Sequence, residues 1–456
     1  TMHKLILMMP LPTKPLLTKR ILLKSTMHKL ILMMPLPTKP LLTTQILMKS
    51  SLIKFSFLFL FTLTALLLLT SCTLSEEQIQ KRAARIHTRA VTVDSHTDTP
   101  MWFTREGFSF GDRHESEGRR YKLDIPRMNE GELDGVFFAV FLGQKNRDEV
   151  GNAEALAEAN KIIDSIYAEV NRYPDDLQIA TSPADLKRIV SQDKHAIFLG
   201  LENGYPIGTN LALVDSFHNA GIEYITLCHS YNNDICDSST DTIEHGGLSD
   251  FGVQVVKRMN ELGMMIDVSH ASDQTFYDVV ALSSAPVIAS HSCARALCDH
   301  PRNLSDDMLV KLRENGGVIQ MCILSAYVNT PEPFPARDSA RNAVREKHGD
   351  YYELDDAGRQ AFLVDWYQVD RDFPPQLATV ADVVDHIDHI VQVAGINHVG
   401  IGTDFDGGGG VEGCFDVSEL GNITEELVRR GYSARDIKKI WSRNLMRVMR
   451  EAKATS

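Results

Sequence analysis

The sequence predicts a (β/α)8 barrel with a helical insertion after its seventh strand. Three observations point there. From about residue 75 onward short apolar runs recur as continuous stretches, the pattern of strands buried on both faces in a parallel sheet. Amphipathic segments of helical period lie between them. No glycine-rich phosphate turn follows the first run, which disfavours a doubly wound open sheet, the runner-up. Composition agrees, since 43% of the 456 residues are hydrophobic and 23% charged, ample for one barrel-sized core. The net charge of −13 argues against nucleic acid as a partner, because phosphate binding needs a basic surface.

The N-terminus is not barrel material. "TMHKLILMMPLPTKPLLTKRILLKS" (1–25) recurs almost unchanged over 26–50, a duplicated leader whose translation is open and whose two copies are too few for a repeat architecture. Over 48–72, Lys49 and Lys54 precede a long apolar run and the small residues before Cys72. That reads as a lipoprotein signal peptide starting at Met48, with "LTSC" resembling a bacterial lipobox in which Cys72 is lipidated. A transmembrane anchor is the alternative. Either way the mature domain, 73–456, is expected outside the cytoplasm, in the bacterial cell envelope and tied to the membrane through Cys72. The six other cysteines then sit in a disulfide-permissive compartment, as paired half-cystines or as buried thiols.

The eight predicted strands fall at 91–96, 135–143, 195–204, 222–230, 263–270, 285–292, 316–324 and 397–407. Helical spacing of apolar residues over 153–170 and 380–394, the latter stopped by Gly395, supplies clear crossovers. Residues 328–377 form an unusually long connection after the seventh strand, with prolines at both ends and helical composition between. Such a loop lies at a barrel's active face, as a lid or as a solvated excursion. His386 and His389 in "DHIDHI" flank an apolar helical stripe and read as surface residues.

The strand ends carry the chemistry. The first strand ends in His96 and Asp98, the third in Glu202, the fourth in His229, the fifth in His270, the sixth in His291, and the eighth in Asp404 and Asp406. Taken singly, each is ordinarily a hydrogen-bonded turn or core residue. Taken together they converge on one face of a barrel, which a scatter of sixteen histidines would not do. Imidazoles and carboxylates without cysteine suit zinc or a similar divalent ion. The donors divide into two groups on opposite sides of the barrel mouth, His96, Asp98 and Glu202 against His270 and His291, with a carboxylate able to bridge. Two ions sharing a carboxylate and a water would generate hydroxide near neutral pH.

In order, "DSHTD", "LGLENG", "TLCHS", "DVSH", "PVIASHS", "HPRN" and "GTDFDG" closely resemble the renal (membrane) dipeptidase family, binuclear zinc peptidases of the amidohydrolase superfamily. The resemblance runs from about Ile79 to the C-terminus. It implies two zinc ions per chain, one on His96 and Asp98, the other on His270 and His291, with Glu202 bridging. It implies that His229 stabilises the tetrahedral oxyanion, that Arg302 holds the free carboxylate of a dipeptide, and that Asp404 is the acid/base, with Asp406 the second choice. The expected activity is hydrolysis of dipeptides by a metal-activated bridging hydroxide. Members are often dimers, so a homodimer is the implied assembly. Residues 328–377 do not align with mammalian members, and Tyr231 stands where those carry a half-cystine, which leaves side-chain specificity and disulfides open. Two other readings share these residues: a binuclear amidohydrolase acting on a lactam, lactone or phosphoester, and a non-catalytic peptide-binding lipoprotein.

Overall fold

The eight predicted runs become the staves of a parallel barrel in a computed structural model, which describes residues 74–455 apart from residue 106, residues 116–119 and residues 352–353. The leader over 1–50, the signal segment over 48–72 and Cys72 lie outside the described residues. The strands are β1 (Val93–Thr97), β2 (Gly135–Phe141), β3 (Leu177–Ile179), β4 (His195–Glu202), β5 (Ile222–Thr226), β6 (Met265–Asp267), β7 (Ile288–Ser292), β8 (Val318–Met321) and β9 (Val399–Ile401). Neighbours pair in the order β1-β2-β4-β5-β6-β7-β8-β9. The ring closes just beyond β9: Thr97 bridges Phe405, and the Asp98 amide donates to the Phe405 carbonyl at 2.8 Å. The unanticipated β3 pairs with the first residues of β4, short of Leu199, where β5 takes over. Three residues are too few for periodicity to register.

Apart from Phe141 at the end of β2 the staves are buried end to end, all eight residues of β4 and all five of β1. This is why they read as continuous apolar runs. Val93, Met265, Ile288 and Val318, each first in its strand, pack inside the barrel with Phe137, Phe198 and Tyr224. Helix Asn444–Thr455 pushes Leu445, Met446, Val448 and Met449 into the same cluster. The N-terminal end of the barrel is therefore plugged with apolar side chains, and the polar strand ends face the other way. The outer helices start on side-chain caps: Asp148, Ser249, Ser272, Ser305 and Thr379 each accept a first-turn amide.

The connection between β8 and β9 holds helices Pro335–His348 and Asp356–Asp372. They have a small core of their own, Val344, Phe362 and Val369, with Trp366 packed against it. Asp370 pairs with Arg337 at 2.6 Å and Arg341 at 2.8 Å across the two helices. Arg105, in the loop after β1, donates to Gln360 at 3.1 Å, and Arg120 lies over the Tyr367 ring at 4.5 Å.

One expectation changes and one open reading is decided. His386 is not a surface residue: it is buried on helix Val380–Val393, bonded to the Ala294 amide at 3.1 Å and the Val328 carbonyl at 2.8 Å. Backbone polar groups enclosed there need a partner that an apolar side chain cannot give. His389 keeps a surface place beside Asp306. Of the two readings for the cysteines, the structure takes the buried thiols: Cys228, Cys236, Cys293, Cys298, Cys322 and Cys414 are all unpaired.

Candidate metal centre

The C-terminal strand ends bring His96, Asp98, Glu202, His229, His270, His291 and Asp404 to one place. Their donor atoms form three groups, each within 4.8 Å: His96, Glu202 and His291; Glu202, His229 and His270; His96, Asp98 and Asp404. Glu202 is the last residue of β4 and belongs to two of them. Its Oε2 lies 3.3 Å from His96 Nε2, while Oε1 lies 3.2 Å from His270 Nε2 and 3.5 Å from His291 Nε2. One oxygen of this carboxylate thus faces His96 and the other faces His270 and His291. Asp98 Oδ2 is 3.6 Å from His96 Nε2.

The donor set fits a pair of borderline divalent ions. His96 Nε2 and Asp98 Oδ1 are buried without a hydrogen-bond partner, a costly state for polar atoms that an ion would relieve. The Nε2 atoms of His270 and His291 face each other at 3.0 Å. Two lone pairs that close require a cation or a proton between them. Burial, with Arg302 adding to it, holds His270 well below the usual imidazole range, and burial with His96 does the same for His291. Both rings are therefore neutral, the form that ligates. Burial and the nearby Glu202 push the Asp98 carboxyl up, so the carboxylates are crowded in a way that positive charge offsets.

Behind the donors, other side chains set the rings. The Tyr224 hydroxyl donates to the Ser95 carbonyl at 3.2 Å, so it accepts from His96 Nδ1 at 2.9 Å and leaves Nε2 free. Ser290 donates to Asp267 at 2.6 Å and accepts from His291 Nδ1 at 2.9 Å. Asp267 is itself anchored by Thr226 and by the Ser269 and Ser290 amides. His270 Nδ1 has no such partner among the described residues. Sequence reasoning missed this layer. Tyr224 sits in an apolar strand as any core aromatic would, and only the serine directly before His291 offered a signal.

The remaining predicted residues surround the cluster. His229 Nε2 is 3.7 Å from Glu202, its ring lies tilted against His270 with centroids 4.1 Å apart, and burial with the Arg302 charge pulls it down to about 3. Arg302 is buried, donates to the His291 carbonyl at 3.1 Å, and leaves Nε without a partner. Asp404 is raised well above the carboxylate range by burial, then by Cys322 and Asp98. Asp406, the second choice for acid/base, joins none of the three donor groups; it accepts from Thr99 at 2.7 Å and the Lys122 amide at 3.0 Å. His270 (φ 68), Asp404 (φ 61) and Asp406 (φ 67) all adopt left-handed backbone, a cost such residues carry where the surrounding fold dictates their aim.

A family model of membrane dipeptidases (peptidase family M19) matches residues 80–456. The chain belongs to that family. As an M19 protein it is a metallo-dipeptidase, an enzyme whose substrates are dipeptides. It is 32% identical over 369 residues to dipeptidase verJ of Clonostachys rogersoniana, covering 78% of this chain and 83% of that one. Dipeptidase 3 of Rattus norvegicus is 31% identical over 385 residues, 83% of this chain and 68% of that protein. The crystal structure of the probable dipeptidase PvdM from Pseudomonas aeruginosa superposes with a TM-score of 0.72 at 31% identity, covering 83% of this M19 chain and 100% of its own.

Proposed function

We propose that this chain is a zinc-dependent dipeptidase with two zinc ions per chain, one on His96 and Asp98, one on His270 and His291, and Glu202 between them. The observation that carries the reading is the placement of the two Glu202 oxygens against separate imidazole sets. When bound, the two ions would supply the Lewis acidity that activates an attacking water and polarises the scissile carbonyl. The chain's own residues do the rest. Arg302, with its Nε unpartnered, takes the terminal carboxylate and so measures substrate length. Neutral His229 donates from Nε2 to the developing oxyanion, since Ser230 lies 3.0 Å from its Nδ1. Asp404 moves the proton to the leaving amine.

The test is hydrolysis of a dipeptide panel by purified protein, inactivation by a chelator, restoration by zinc, and metal content near two per chain. No cleavage across the panel sinks the reading. Arg302→Ala raises KM for dipeptides by about 10- to 100-fold, the scale of a charged hydrogen bond. Indifference to that substitution would instead favour a lactam, lactone or phosphoester without a carboxylate. From residues 48–72 we also propose a lipid anchor at Cys72 in a bacterial envelope; Cys72→Ala should release the protein from membranes into the soluble fraction.

A further inference from the structure

Asp404 is held in a conformation its own chain does not favour, against a group of like charge. Its φ of 61° is left-handed backbone, a strained state for any residue but glycine. A Cβ on Gly407 would lie 2.1 Å from Asp98 Oδ2 and 2.3 Å from Asp404 Oδ1, so the two carboxyl groups meet over that glycine. Two carboxylates that close repel. Other parts of the fold must hold Asp404 there. Its amide donates to the His96 carbonyl at 3.1 Å, and its carbonyl accepts from the Gly408 and Gly409 amides at 3.0 and 2.7 Å. Thr403, the residue before it, is bound twice by one buried carboxyl across the seam where the barrel closes. Asp94 Oδ1 accepts the Thr403 amide at 2.9 Å and the His96 amide at 3.1 Å, and Oδ2 accepts the Thr403 hydroxyl. That hydroxyl in turn accepts from the Phe405 amide at 3.2 Å.

We propose that Asp94 is a positioning residue of the hydrolysis: through Thr403 it fixes the Asp404 carboxyl at the metal centre. The inference rests on the dipeptidase reading above, in which Asp404 moves the proton to the leaving amine. Asp94 grips the residues on both sides of Asp404, Thr403 directly and Phe405 through the Thr403 hydroxyl. The same carboxyl holds the His96 amide, so a single side chain sets the acid/base residue against an imidazole of the proposed metal site. Asp94 and Thr403 are both wholly buried, and all three contacts to Asp94 come from donors. Only a carboxylate accepts at both of its oxygens. Proton transfer needs this kind of support, because donor and acceptor must come within about 2.6–3.2 Å of each other.

The experiment is steady-state kinetics of the zinc-loaded full chain carrying Thr403→Val, which keeps the branched shape and removes the hydroxyl. For a dipeptide, kcat should fall about 10- to 100-fold, the usual effect of losing an outer partner. KM should stay within about threefold and zinc at the parent's content, since only an interaction of the transition state is lost. Thr403→Ser keeps the hydroxyl and should restore most of the rate. Asp94→Asn, with one acceptor oxygen where two are used, should show the same split between kcat and KM. The double variant Thr403→Val with Asp404→Asn should lose no more than Asp404→Asn alone, because a group acting through Asp404 then has nothing left to position. Losses that multiply in the double variant are the mark of a merely structural role and overturn the proposal. So do full kcat in Thr403→Val, an equal loss in Thr403→Ser, or zinc lost in step with the rate. If the parent cleaves no dipeptide, the proposed activity fails by itself. The visible absorption of the cobalt-loaded chain still reads the placement: Thr403→Val should move the bands as Asp404→Asn does, and unmoved bands would overturn it.

Discussion

Tyr224 controls His96 without touching the space an ion would fill. Its ring crosses the barrel interior because Gly200 leaves room: a Cβ there would lie 2.1 Å from the Tyr224 ring. Its hydroxyl then fixes which His96 nitrogen carries the proton. Tyr224→Phe keeps the packing and removes that bond. Zinc affinity by chelator competition should fall about tenfold, with the circular dichroism spectrum unchanged. Gly200→Ala should reproduce the loss and also lower the melting temperature, since overpacking a filled core costs about 1–3 kcal/mol. Unchanged zinc affinity in both variants would leave Tyr224 a core aromatic and nothing more. Asp267, acting through Ser290, backs His291 with a carboxyl group where His96 is backed by the Tyr224 phenol, so the two rings are not set alike.

The insertion between β8 and β9 behaves as a hairpin with a private core. Phe362 sits at its centre, 5.4 Å from Trp366 and from Tyr351. Phe362→Ala should cost this unit about 3 kcal/mol. Limited proteolysis should then cut within 335–373 sooner, while the main thermal transition of the barrel stays in place. A shift of that main transition would show that the hairpin is integral to the barrel. The strand ends behave differently from the insertion. His270, Asp404 and Asp406 take left-handed backbone directly after their staves, which turns their side chains at the point where regular pairing stops. Alternation of apolar and polar residues carries no trace of this, so the sequence marks where a strand ends and not how the end is bent.

Glu223 links the barrel to its plug, pairing with Lys453 of helix Asn444–Thr455 at 2.7 Å while almost wholly buried. Burial outweighs the lysine and pushes Glu223 up to about 7. A carboxyl raised on folding favours the folded state fully below its unfolded pKa, about 4.3, and that contribution is lost as pH rises through about 7. Glu223→Gln should therefore gain stability relative to the parent between those values, on the order of 2 kcal/mol at pH 8. Melting curves at pH 4 and pH 8 check it, and a constant difference between the two proteins would refute it. The barrel, its eight staves, the insertion point and all seven strand-end donors were legible in the sequence, because burial on both faces and an abrupt polar terminus leave a local mark. His386 was misread and Tyr224, Gly200 and Asp267 passed unnoticed, because their roles arise from partners tens to hundreds of residues away. The sequence by itself determined which residues stand at the strand ends. Only barrel closure decided that Glu202 divides its two oxygens between separate imidazole sets, because that division depends on the register of strands that never adjoin in the chain.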